Sequence, residues 1–194
     1  MPSTISPLRI EPNRKFETQD RRLMYKIALA REQDIPLLSA IELAAAQLLA
    51  GYAPERVLKE ATSEQEMRYA QERGLLWVAL SGDRPVGFAH VRLLEPNAAH
   101  LQEIDVHPEH GCRGLGTRLT MAVCGWATKA GHHALTLTTF RTVPWNMPFY
   151  LRLGFELVAC EELSPIMLSI LQEEERRGLD PEARVAMRRR LYVR

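Results

Sequence analysis

The chain has few cysteines, few aromatic residues, almost no net charge and no long apolar run. Its three cysteines, Cys112, Cys124 and Cys160, lie far apart. An odd, scattered set provides neither a disulfide framework nor a zinc pattern, and it suits a reducing compartment. The His residues lack the paired spacing of a metal centre, so no metal is expected. Lys and Arg number 25 against 24 Asp and Glu, a net charge of +1. Such a chain exerts no general pull on nucleic acid or anionic lipid, and any anion it binds must be held locally. No segment reaches the roughly 18 apolar residues that cross a bilayer. The longest candidate, 37–53, is interrupted by Glu42 and Gln47. The N-terminus also lacks the continuous apolar core of a secretory signal. These absences point to a cytoplasmic protein whose partners are neither nucleic acid nor membrane, and they leave a homodimer open.

With 194 residues, 46% of them hydrophobic, one α/β domain with a sizeable core is expected. Residues 1–23 are rich in Pro, Ser, Thr and mixed charge without periodicity. They read as a disordered extension, or as an over-long start before Met24. The folded domain is assigned to 24–194. Tyr25, Ile27 and Leu29 alternate as one strand face, Asp34 and Pro36 open a helix that stops at Gly51, and Ser63 with Glu66 forms a capping box for a helix ending at Gly74. Strands are expected over 75–80, 85–94, 100–106, 134–139, 155–159 and 183–192. Helices are expected over 114–130, 144–153 and 164–177, the last with Glu173 and Arg177 paired at i, i+4. A hairpin and a strand–helix–strand crossover together imply a mixed sheet.

The segment Ile104-Asp105-Val106-His107-Pro108-Glu109-His110-Gly111-Cys112-Arg113-Gly114-Leu115-Gly116-Thr117 carries the most information. A strand runs into a glycine-rich turn that opens a helix. The first N–H groups of a helix have no internal partners, glycines let an anion approach them, and the helix dipole favours negative charge there. The pattern is that of a pyrophosphate site, to which Arg113 can add a charge. Leu119 occupies the third glycine position of a dinucleotide-binding fingerprint, and no Lys stands between Gly116 and Thr117 as a P-loop requires. In the preceding strand the step from Leu101 to Ile104 breaks the period of two, as a β-bulge does.

This segment resembles the GNAT superfamily of N-acetyltransferases, in which a bulged fourth strand precedes a Gln/Arg-x-x-Gly-x-Gly/Ala turn, here Gly111-Cys112-Arg113-Gly114-Leu115-Gly116. Phe149-Tyr150-Leu151-Arg152-Leu153-Gly154-Phe155 is similar to a second signature of the family. The resemblance covers Tyr25 to the C-terminus. It implies a mixed, mostly antiparallel sheet whose fourth and fifth strands run parallel and splay apart, with acetyl-CoA as cosubstrate in the gap. It further implies that the Val106 N–H holds the thioester carbonyl, and that Arg113, Gly114, Leu115, Gly116 and Thr117 hold the pyrophosphate. Two positions depart from the pattern. Gly111 replaces the usual Gln/Arg, and Val143 falls where the family carries Asn; Asn146, one helical turn before Tyr150, is the substitute.

Acetyl transfer to an amine requires a neutral amine, a donor for the developing oxyanion and a proton for the departing thiolate. Tyr150 is the candidate acid. Glu103 and His100, on either side of the bulge, are the candidate bases. Asp105 is expected to serve structure or to lie near the cofactor, and Trp145, Phe149, Glu42, Gln47 and Tyr52 to shape the acceptor pocket. The expected activity is acetylation of a small-molecule primary amine by direct attack in a ternary complex. A protein or peptide N-acetyltransferase and a non-catalytic CoA-binding module remain the alternatives.

Overall fold

The alternation that begins at Tyr25 forms the first strand of a single seven-stranded sheet, ordered β1-β2-β3-β4-β5-β7-β6 in the computed structural model, which describes residues 25–95 and 98–192. The strands are β1 (Tyr25–Leu29), β2 (Leu76–Ser81), β3 (Arg84–Glu95), β4 (Ala98–Val106), β5 (Ala134–Phe140), β6 (Glu156–Leu157) and β7 (Arg184–Arg190). The helices are α1 (Ile35–Ala46), α2 (Glu64–Glu72), α3 (Leu115–Lys129), α4 (Asn146–Arg152) and α5 (Pro165–Arg176). Every neighbouring pair is antiparallel except β4 and β5. The extension assigned to residues 1–23 lies outside the described residues.

Cross-strand partners point to the same side of a sheet, so register assigns the faces. His90 opposes Glu103 and Phe88 opposes Asp105, which places these four on one face, under α1. Ala89 opposes Ile104 and Trp77, on the other face, where Trp77 meets Trp126 of α3 edge-on at 5.3 Å. Leu119, Val123 and Ala127 of α3 are fully buried there. This main core is continuous from Tyr25 to Leu191. A second, smaller apolar cluster joins Phe140, Val143, Leu179 and Ala183, with Leu49, Ala53 and Val57 packed against it.

Several local expectations need correction. Asp34 does not cap α1: its own backbone is already helical, and its carboxylate accepts from the Arg31 N–H at 2.8 Å and from the Arg31 guanidinium, closing the 3₁₀ turn before the helix. Ser63 does cap α2, accepting from the Glu66 N–H at 3.2 Å. The strand expected at 155–159 shrinks to two residues because Phe155 turns into the core and its N–H caps the end of α4 at the Tyr150 carbonyl. Glu173 pairs with Arg176 at 2.7 Å, while Arg177 reaches Glu60 across the molecule at 2.9 Å. Among the described residues, no helix is long and apolar enough to cross a membrane.

Candidate active site

The site begins with a break in pairing. Among the described residues, β4 and β5 are joined only at Ala98–Ala134, Ala99–Leu135 and His100–Thr136. Beyond His100 the strands separate. The cause is visible in β4: Glu103 opposes His90 while Leu101 opposes Val91, so Gln102 is an extra residue, a bulge that bends the strand. At the end of the strand the His107 N–H donates to the Val86 carbonyl at 2.9 Å. Antiparallel ladders alternate, so the Val106 N–H points away from β3 into the opening left by β5.

The glycine-rich turn follows. Gly114, the residue before α3, has φ +75, with no side-chain cap on the helix. The first intrahelical bond is donated by the Arg118 N–H to the Gly114 carbonyl, so the N–H groups of Leu115, Gly116 and Thr117 precede the ladder and are available to an anion. Leu115 is buried and anchors the helix start, and the Phe149 ring lies against Gly116. Arg113 donates to the Tyr25 hydroxyl at 2.6 Å and to the Glu109 carbonyl at 3.1 Å, bracing the turn against β1. The Tyr25 hydroxyl also meets His110 Nδ1 at 3.0 Å, and Arg118 holds the Tyr25 carbonyl at 2.7 Å. Asn146 is partly buried at the start of α4, and Val143 is fully buried in the second apolar cluster.

On the sheet face under α1, carboxylate oxygens of Glu42, Glu103 and Asp105 lie within 4.8 Å of one another. Glu42 is held from above: the Thr62 N–H donates to both its oxygens at 3.0 Å and the Thr62 hydroxyl to one at 3.0 Å. Burial, and then the charge of Glu42, push the Glu103 carboxyl up to about 7. Burial and the adjacent Glu103 push Asp105 well above the usual carboxylate range. One Asp105 oxygen is buried with no hydrogen-bond partner among the described residues. Tyr150 is buried close enough to these acids that burial, Glu103 and Asp105 all raise its phenol.

The structure separates the two sequence-derived bases. Glu103 joins the acidic group near Tyr150. His100 is buried at the point where the strands part, its Nδ1 3.0 Å from the Thr136 hydroxyl. Burial and the nearby Arg92 push it down to about 3, which makes it a weak proton acceptor. Asp105, expected to serve structure or to lie near the cofactor, stands beside Glu103. Its spacing of two from Glu103 on a strand places both on one face, and that signal was legible; the approach of Glu42 from a helix sixty residues earlier was not.

A parallel pair that splays after a bulge, followed by an uncapped glycine-led helix start, is an acyl-CoA cleft in outline, and the sequence profile of the acetyltransferase (GNAT) family matches residues 43–155. The chain belongs to the GNAT acetyltransferase family. Solved GNAT-type folds agree with it along nearly its whole length. The PaiA N-acetyltransferase from Thermoplasma acidophilum in complex with coenzyme A superposes with a TM-score of 0.67 at 17% identity, covering 86% of this chain and 98% of that one. The ribosomal-protein-S18-alanine N-acetyltransferase from Escherichia coli gives 0.60 at 19% identity, covering 87% and 94%. The N-acetylglutamate synthase from Neisseria gonorrhoeae, complexed with coenzyme A and N-acetyl-glutamate, gives 0.65 at 17% identity, covering 87% of this chain and 35% of that one. At such identities the likeness is one of fold. These GNAT neighbours include both a protein-directed enzyme and one bound to an amino-acid derivative, so the fold leaves the acceptor open.

Proposed function

We propose that the protein transfers the acetyl group of acetyl-CoA to a primary amine by direct attack in a ternary complex. The observation that carries this reading is the Glu103 carboxylate, on β4 just past the point where β4 and β5 part, with the carboxylates of Glu42 and Asp105 within 4.8 Å of it and the buried Tyr150 near enough for its phenol to be raised by Glu103 and Asp105. The residues fit the cosubstrate: the uncapped N–H groups of Leu115, Gly116 and Thr117 suit a pyrophosphate, and the outward Val106 N–H suits a thioester carbonyl.

The amine arrives as an ammonium ion and gives a proton to the Glu103–Asp105 pair, whose raised affinity for protons matches it to a neutral-pH base. The nitrogen lone pair attacks the thioester carbon while the Val106 N–H stabilises the developing oxyanion. The C–N bond forms, the C–S bond breaks, and the thiolate takes the proton of the Tyr150 phenol. The proton lost from nitrogen after attack restores the Tyr150 phenol, and the Glu103–Asp105 pair releases its proton to solvent. Glu103 is preferred to His100 as base because its proton affinity lies near neutrality while that of His100 lies far below it.

The test is incubation with acetyl-CoA and a set of primary amines, following both CoA and N-acetyl product by mass spectrometry. Stoichiometric appearance of the two is expected. Acetyl-CoA binding without product for any amine, peptides included, would instead make the chain a non-catalytic member of its family.

A further inference from the structure

The turn that leads into α3 has little of its own to hold it. Gly111 offers no side chain, and a Cβ there would stand 3.0 Å from the Pro108 carbonyl oxygen. The hydrogen bonds within the turn are local: the His110 N–H donates to the His107 carbonyl at 2.8 Å and the Gly111 N–H to the Pro108 carbonyl at 3.0 Å. Among the described residues, the hydrogen bonds that tie segment 108–114 to the sheet run to one residue, Tyr25, on the edge strand β1. Tyr25 is buried, and its ring meets that of His110 edge-on at 5.8 Å. Arg113 can only donate, so the Tyr25 oxygen accepts from it at 2.6 Å, and the phenolic O–H is left to donate to His110 Nδ1 at 3.0 Å. Burial and the charge of Arg113 depress the His110 imidazole, which favours the neutral ring that such an acceptor needs. The second terminal nitrogen of Arg113 donates to the Glu109 carbonyl, so both prongs of the guanidinium are engaged within the protein. The Tyr25 carbonyl in turn accepts from Arg118 at 2.7 Å. Arg113 and Arg118 flank Leu115, Gly116 and Thr117, whose N–H groups precede the helix ladder, so one residue of β1 grips the chain on both sides of the anion-ready turn.

We propose that Tyr25 is the positioning residue of the pyrophosphate site: holding Arg113 with its hydroxyl and Arg118 with its carbonyl, it fixes the three free N–H groups for the cosubstrate, and Arg113 is a strut of that grip and not a ligand of the pyrophosphate. The inference rests on the acyl-CoA reading of the turn. Converging N–H groups bind an anion more tightly when they are ordered beforehand, because their conformational entropy is then lost on folding and not on binding. A glycine-led turn without a side-chain anchor needs that order from elsewhere, and Tyr25 supplies it from 85 residues away in sequence.

The experiment is a double-variant cycle on acetyl-CoA affinity, measured by isothermal titration calorimetry on the full chain with Tyr25→Phe, Arg113→Met and the two combined, beside thermal unfolding without ligand. Tyr25→Phe keeps the ring and the β1 pairing and removes the hydroxyl. Each single variant is expected to weaken acetyl-CoA roughly tenfold, the scale of one hydrogen bond, and the combination no more than either alone, since two residues acting through one contact are not additive. A merely structural role would lower the melting temperature and leave the affinity of the folded protein intact. Arg113→Lys is the second measurement, and it serves alone should Tyr25→Phe fail to fold. Lysine keeps the charge but lacks the planar fork that spans Tyr25 and Glu109, so it should weaken binding as Arg113→Met does. Unchanged or tighter binding in Tyr25→Phe would overturn the inference. So would full affinity in Arg113→Lys, or a combined loss of roughly a hundredfold, either of which would place Arg113 on the pyrophosphate itself. The expected pattern of binding without acetyl transfer to any amine would leave the positioning role standing and remove the catalytic reading, whereas no acetyl-CoA binding by the unmodified protein would overturn both.

Discussion

At the scale of single residues, the chemistry rests on proton affinities set by burial. The Tyr150 phenol is raised above its ordinary value, so it stays protonated across the working range, as the proposed acid role requires. Tyr150→Phe keeps the ring, and with it the edge contacts to Phe149 at 5.0 Å and Phe155 at 5.7 Å. Stability and acetyl-CoA affinity should therefore hold while turnover falls roughly 10²–10⁴-fold, the contribution of a positioned acid. Steady-state kinetics beside a thermal-shift titration measures both. Glu103 makes a different prediction. Its carboxyl holds a proton up to about 7 when folded, against an ordinary value of 4.5. The unfolded chain thus binds fewer protons over that interval, and this group's stabilising contribution is full below the unfolded value and lost as pH rises through the folded one. Urea midpoints should fall with pH between those values, and kcat/KM should rise as pH passes about 7. Glu103→Gln should flatten the Glu103 part of both profiles and lower turnover. A variant with the unmodified protein's rising limb would assign that limb to another group.

Elements position these residues through close backbone approaches. Gly114 turns the chain at φ +75 to present the start of α3, a conformation β-branched side chains resist. Gly114→Val should lower the melting temperature and abolish its rise with acetyl-CoA, whereas Gly114→Asn, which tolerates the left-handed region, should keep the rise. Gly87 is needed for a separate reason. It opposes Val106, and a Cβ there would stand 2.7 Å from the Asp105 carbonyl oxygen, a clash with backbone that only a shift of β4 relieves. Gly87→Ala should cost about 1–3 kcal/mol by the usual scale of overpacking, read by denaturant unfolding, and should lower turnover because the displaced strand carries Val106, Asp105 and Glu103. Much of this level was legible in advance. The bulge at Gln102, the helix after Gly114 and the cap at Ser63 are local patterns of spacing and turn chemistry. The Asp34 cap and the Glu173–Arg177 pair misled because spacing names residues that can meet, while tertiary partners decide which do.

Across the molecule, α5 and β7 brace the far wall. Arg184 forms a two-pronged pair with Glu174 at 2.9 and 2.7 Å, touches the Thr138 hydroxyl at 3.1 Å and lies over the Phe140 ring at 4.5 Å. Both side chains of the pair are largely buried, at 10% and 13% exposure. Removing one partner of such a pair strands a charge, so Arg184→Met should cost about 3–5 kcal/mol in denaturant unfolding. Arg184→Met combined with Glu174→Leu should recover most of that loss. If the double variant is no better than the single one, the guanidinium matters for its contacts with Thr138 and Phe140 and not for its pairing.

The sequence by itself determined most of the elements, the mixed sheet, the bulge and the anion-ready turn, and it singled out Tyr150 as the candidate acid, because each is written within a window of about fifteen residues and follows from periodicity, glycine placement and turn chemistry. Only the tertiary structure decided that Glu103 stands beside Glu42 and Asp105 while His100 is buried against Thr136, and that Arg113 braces Tyr25. These are juxtapositions of chain segments tens of residues apart. Proton affinity depends on burial and on charges brought near by folding, and no local pattern contains either.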